Sequence, residues 1–88
     1  MAGRWRLVSA NGAACGMNFT APIGAVEGAI APEGGCPGNF FMSRRWLFEQ
    51  DSLVVQDHNR KPLVRMKQGP AGRFEGEAAN REFVWLER

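Results

Sequence analysis

The chain has 88 residues, enough for one domain and for only a modest core, so a covalent staple is expected to help it fold. A hydrophobic share of 44% with 23% charged residues excludes a disordered chain. The formal net charge of +2 is too small for bulk electrostatics to draw the protein to nucleic acid or to a membrane surface.

Taken in chain order, the sequence alternates with a period of two, the signature of strands half-buried in a sheet. Across Gly3–Ser9, Trp5 and Leu7 alternate with Arg4 and Arg6, and Asn11-Gly12 then supplies a strong hairpin turn. Ala14–Thr20 places Cys15, Met17 and Phe19 on one face, before Pro22 and Gly24 interrupt. Val26–Ala31 puts Val26, Gly28 and Ile30 together, a weak strand in which Gly28 allows a bend. The segment Ala31–Gly38 is too rich in Gly and Pro for anything but a loop, and Asn39–Arg44 can hold one helical turn.

The alternation resumes in Arg45–Gln50 with Trp46 and Phe48. It continues, after a turn at Asp51-Ser52, in Leu53–Asp57 with Leu53 and Val55 inward. His58–Lys61 is the next turn. Pro62–Gln68 turns Val64 and Met66 inward, because Arg65 and Lys67 occupy the other face. After Gly69–Gly72, Arg73–Ala78 sets Phe74 and Gly76 against Arg73, Glu75 and Glu77. Ala79–Arg81 then turns into Glu82–Glu87, with Val84 and Leu86 on one face and Phe83 and Trp85 on the other. About eight short strands with tight turns predict an all-β meander closing into a barrel or sandwich. The predicted core is Trp5, Leu7, Met17, Phe19, Trp46, Phe48, Leu53, Val55, Phe74, Val84 and Leu86.

The cysteines, Cys15 and Cys36, fit either one disulfide or two separate buried thiols. The disulfide is favoured, since small extracytoplasmic domains commonly need one; it would close a loop of about twenty residues and contribute roughly 3 kcal/mol. That reading implies an oxidising compartment. Met1–Trp5 is followed by no apolar signal segment, so the expectation is a mature domain cut from a longer envelope precursor, with Met1 added to it.

The chain is poor in catalytic chemistry. Metal sites need three or four clustered ligands, and the lone histidine, His58, sits in a turn, so no metal and no cofactor is expected. His58 is also the only imidazole that could activate Cys15 or Cys36, and neither cysteine is expected to act as a nucleophile. Glu75 and Glu77 project from one strand face roughly 7 Å apart, a spacing an inverting glycosidase could use, but they read as a solvated outer face. Arg4-Trp5-Arg6, Arg44-Arg45-Trp46 and Arg81 with Phe83 and Trp85 interleave base and aromatic as a single-strand nucleic-acid surface does. Alternation instead sends Trp5 and Trp46 inward, so no nucleic-acid partner is expected. Phe83 and Trp85 fall outside and are candidates for a protein contact.

The motifs GRWRL at Gly3–Leu7, Cys15, Cys36, Trp46, LVVQD at Leu53–Asp57, RFEG at Arg73–Gly76 and VWLER at Val84–Arg88 together resemble the bacterial alkaline proteinase inhibitor family. The resemblance extends to the C-terminal domain of certain outer-membrane lipoproteins of alphaproteobacteria and covers almost the whole chain. It implies an eight-stranded, lipocalin-like up-and-down antiparallel barrel, a Cys15–Cys36 disulfide, and a core plugged by Trp5. It also implies inhibition of secreted zinc metalloproteases of the serralysin type, by an N-terminal trunk whose terminal amine approaches the catalytic zinc. A neutral amine is a good zinc ligand and would displace the nucleophilic water.

Two departures stand out. Only four residues precede Trp5, a reach of at most about 14 Å, which is short for a trunk; either a trunk has been removed or this member acts otherwise. Arg60 stands where the family tends to have glycine. The resulting expectations are a monomeric, non-enzymatic inhibitor of a secreted or host protease, located in the periplasm or at the outer membrane. A lipid anchor upstream would be its only tie to the membrane. Contacts are expected from Met1, Ala2, Gly3 and Arg4, together with Phe83 and Trp85. The alternatives are a small-ligand-binding barrel, or a structural or lysozyme-inhibiting envelope module.

Overall fold

The computed structural model describes residues 2–79 and 81–88. Eight strands run in chain order: β1 Gly3–Ser9, β2 Ala14–Thr20, β3 Glu27–Pro32, β4 Arg45–Glu49, β5 Ser52–Gln56, β6 Pro62–Gln68, β7 Phe74–Glu77 and β8 Phe83–Glu87. Each pairs antiparallel with the next, and β8 returns to β1 through Leu7↔Leu86 and Ser9↔Val84, closing the barrel. Closure removes the unpaired edges that a small open sheet would offer to other chains. A short 3₁₀ helix, Gly38–Met42, crosses between β3 and β4, where the sequence predicts a single helical turn.

An eight-stranded barrel has an interior just wide enough for side chains to fill, and here they fill it. Leu7, Met17, Leu53, Met66 and Leu86 are all 0% exposed. Toward the end where β1 begins, five aromatic rings form a closed circuit. Its centroid separations are 6.3 Å for Trp5–Phe19, 6.2 Å for Phe19–Trp46, 5.7 Å for Trp46–Phe48, 5.7 Å for Phe48–Phe74 and 5.8 Å for Phe74–Trp5. Tilted and edge-on pairs at this spacing add to the area they bury. Four of these rings are buried, while Phe48 is only partly so and packs against the cluster from the barrel mouth.

The other end is closed differently. Phe40, on the 3₁₀ helix, is buried there beside Leu63 and Ala78. Cys15 and Cys36 form a disulfide that ties β2 to the loop leading into that helix. The staple therefore holds the segment that carries the Phe40 plug.

Two sequence expectations need correction, and one feature has no signal in the strand alternation. Val26 does not share the inward face of Gly28 and Ile30; β3 begins one residue later, and Val26 is 60% exposed at the mouth. The β4–β5 turn is Gln50-Asp51, not Asp51-Ser52, since Glu49 pairs with Ser52 across a two-residue hairpin. Val8 and Val54 point away from the barrel axis and are nevertheless buried. Val8 lies between Ala14 and Trp85, and Val54 between Leu47 and Arg65, so neighbouring side chains roof them over.

Candidate functional site

The outer wall is laced by ion pairs. Arg4 reaches Glu33 at 2.8 Å, Arg6 reaches Glu87 at 3.4 Å, Arg45 reaches Glu27 at 3.1 Å, Arg65 reaches Glu49 at 2.7 Å and Arg73 reaches Glu75 at 2.6 Å. Of the arginines in the interleaved basic and aromatic segments, Arg4, Arg6 and Arg45 are thus engaged with glutamates and Arg44 donates to the Phe41 and Ser43 carbonyls, while Trp5 and Trp46 lie inside the barrel. Exposed pairs of this kind add little to stability. The Glu33 carboxylate takes bonds from Arg4 and from Asn18 Nδ2, and these hold its pKa down at about 2. Glu75 spends its carboxylate on Arg73, whose guanidinium also lies 5.1 Å from the Trp85 ring centre. Among the described residues, no three His, Cys, Asp or Glu side chains gather as a metal site. Among the same described residues, no helix is long and apolar enough to cross a membrane.

The predicted contact residues fall at two ends. Ala2, Gly3 and Arg4 lead into β1 at the mouth, and Arg88 fixes them there: its Nη2 donates to the Ala2 carbonyl at 2.6 Å while its guanidinium covers Trp5 at 4.7 Å. Met1 lies outside the described residues. Phe83 opens β8 at the opposite end, where its carbonyl accepts from Ala10 N–H at 2.9 Å. Trp85, half-buried, lies midway up the wall and donates from Nε1 to Glu87 at 2.8 Å. Gly3 and Ala10 are seven residues apart along the first strand and its turn, roughly 23 Å at strand rise. The two groups of residues are therefore separate surfaces.

The mouth that carries Ala2–Arg4 is the more developed surface. An open depression of about 640 Å³ lies there, floored by Phe48 and Phe74 and rimmed by Val26, the Gln50-Asp51 turn and Lys67. Gln50 and Asp51 both hold positive φ, at 51° and 64°, a conformation side chains with a Cβ rarely adopt. Beside them the β2–β3 loop carries Ile23, fully exposed. Sequence reading passed over this loop because it has no periodicity, although Ala21–Val26 contains six uncharged residues in succession.

The fold defines a small, filled, disulfide-stapled antiparallel barrel. The whole chain, residues 1–88, matches the family model described as protease inhibitor Inh, and the protein belongs to that family. It is accordingly a protease inhibitor and not an enzyme. No curated protein matches the sequence. The fold is similar to that in the crystal structure of a psychrophilic marine protease MP inhibitor. The TM-score is 0.64 at 16% identity, and the match covers 99% of this chain and 92% of the other.

Proposed function

We propose that the mouth end of the barrel docks over the active-site cleft of a secreted zinc metalloprotease of the serralysin type and occludes it. Family membership across the full chain is the observation that carries this reading, and the fold neighbour is an inhibitor of a marine protease. Ala2, Gly3 and Arg4 are the residues at that rim that would face the cleft. Arg88 limits their freedom before binding, and a preordered segment loses less entropy on docking. The zinc belongs to the target, and the inhibitor needs no cofactor of its own. It acts as a monomer in the periplasm or at the outer membrane; the disulfide suits an oxidising compartment, and a closed sheet has little tendency to self-pair.

The test is a steady-state inhibition assay against a serralysin, a trypsin-like serine protease and a papain-like cysteine protease. Tight inhibition confined to the serralysin is the expected result. Inhibition of the other enzymes alone would reassign the target, and inhibition of none would end the reading.

A further inference from the structure

The loop between β2 and β3 is built to present one apolar side chain rigidly. Ala25 N–H donates to the Pro22 carbonyl at 3.1 Å, and Gly24 takes φ 77° at the third position, where a type II turn needs glycine. Ile23 stands at the tip with no part of its side chain covered. Both stems are fastened to β4. Trp46 Nε1 donates to the Thr20 carbonyl at 3.2 Å, and Phe48 N–H donates to the Val26 carbonyl at 2.7 Å. Holding an isoleucine in water gives the isolated barrel nothing, since burial is what an aliphatic side chain contributes to folding. A fixed, uncharged turn with an apolar tip fits an anchor that enters a partner's pocket, and central apolar anchors carry much of the energy of such interfaces.

The loop's position says which partner. Gly3 pairs with Phe19, so the N-terminal residues and the loop's first stem leave the barrel side by side, about 5 Å apart. Whatever cleft receives Ala2–Arg4 must also meet Ile23. We propose that Ile23 is a specificity-determining anchor that occupies an apolar side-chain subsite of the target protease, beside the subsites covered by the N-terminal residues. Val26, 60% exposed, extends the same apolar ridge toward the depression at the mouth. This inference rests on the inhibitory reading and on the mouth as the docking end. It selects for proteases whose cleft has an open apolar subsite next to the catalytic centre.

The experiment compares the wild type with Ile23→Asp, Ile23→Ala and a control, Phe41→Asp. Phe41 is 54% exposed at the far end, on the 3₁₀ helix. Inhibition constants are measured against the same three proteases, thermal unfolding confirms the fold, and sedimentation reports association. The expected result is a loss of affinity of about tenfold for Ile23→Ala and more for Ile23→Asp, with Phe41→Asp within about threefold of wild type. All variants should melt like the wild type. Potent wild-type inhibition that Ile23→Asp leaves unchanged overturns the inference while leaving the inhibitory function standing. Wild-type self-association abolished by Ile23→Asp, with inhibition unchanged, would assign the loop to a second copy and also overturn it. If the wild type inhibits none of the enzymes, both readings fall together.

Discussion

The Trp46 indole N–H crosses the bare backbone of Gly28 to reach the Thr20 carbonyl at 3.2 Å. This contact joins β2, β3 and β4 at the mouth, and only glycine leaves room for it. A Cβ at position 28 would run into the Thr20 carbonyl oxygen, which is main chain and cannot swing aside, and would come within 2.8 Å of the indole nitrogen. Gly28→Ala should therefore cost about 1–3 kcal/mol, the usual penalty of overpacking, and should lower the urea midpoint without changing the slope. An unchanged midpoint would show that Trp46 has another place to lie. The same variant should weaken inhibition, because the loop stem that carries Ile23 starts at Thr20.

The disulfide is expected to matter mainly through the unfolded chain. Its half-cystines are 21 residues apart, for which the loop-closure argument gives about 3 kcal/mol. A Cys15→Ser, Cys36→Ser double variant should lose about that much by urea unfolding. Leu53→Ala, which empties a fully buried site, should lose about 2–5 kcal/mol. The two losses should be told apart by hydrogen exchange. The cysteine variant should expose the amides around Phe40 first, whereas Leu53→Ala should lower protection evenly. Uniform exchange in both would argue against the loop and its Phe40 plug as a separately opening unit.

The barrel was legible in the sequence wherever one face of a strand is inside and the other is wet. Cys15, Met17 and Phe19, or Val64 and Met66, are buried as their alternation requires. Legibility failed where local pattern is not the cause of burial. Phe40 is buried by a single 3₁₀ turn too short to show a period. Val8 and Val54 are buried by neighbours on adjacent strands, which no single-strand pattern records. The residues proposed to touch a partner were harder still. Ala2–Arg4 and Phe83 look equivalent in a linear chain, and only closure of β8 onto β1 separates them to opposite ends. The exposed Ile23 sits in a loop that a search for chemical groups passes over, since its only signal is a lack of charge.

Acid should loosen the protein over a defined range. Arg4 and Asn18 hold Glu33 at about pKa 2, against an ordinary value of 4.5. Asp57 is also lowered, first by the Lys61 N–H bond at 2.9 Å and also by the Asn59 N–H bond at 2.8 Å to the same oxygen, Oδ1. A carboxylate whose pKa is depressed on folding contributes stability above its unfolded pKa, and that contribution is lost as pH falls through the folded value. The melting temperature should therefore hold steady above about pH 5 and decline from about pH 4.5 toward pH 2. Glu33→Gln should start lower at neutral pH and show a shallower decline. Asp57→Asn, which keeps an acceptor oxygen for the turn, should be less harmful than Asp57→Ala. Identical acid profiles for wild type and Glu33→Gln would show that the Arg4 pair is inconsequential for folding, as exposed pairs often are.

The turn after β5 holds Arg60 in a conformation better suited to glycine. Arg60 N–H donates to the Asp57 carbonyl at 3.0 Å, and Asp57 N–H donates to the Lys61 carbonyl at 3.0 Å, which forces Arg60 to φ 66°. A residue with a Cβ pays roughly 1–2 kcal/mol in this left-handed region, while glycine avoids that strain and gives back part of it as unfolded-state entropy. Arg60→Gly should thus raise stability by about 0.5–1 kcal/mol. The Gln50-Asp51 hairpin carries the same strain twice, in a two-residue turn whose preferred pair is Asn-Gly. Replacing both, Gln50→Asn with Asp51→Gly, should stabilise by a further 1 kcal/mol or so. The two sites differ in what relief should do to inhibition. Arg60 lies at the end away from the mouth, so Arg60→Gly should leave the inhibition constant untouched. Gln50 and Asp51 rim the depression beside Val26, so their replacement should stabilise the barrel and weaken inhibition together. Stabilisation at Gln50-Asp51 with inhibition fully retained would mean that this part of the rim does not meet the protease.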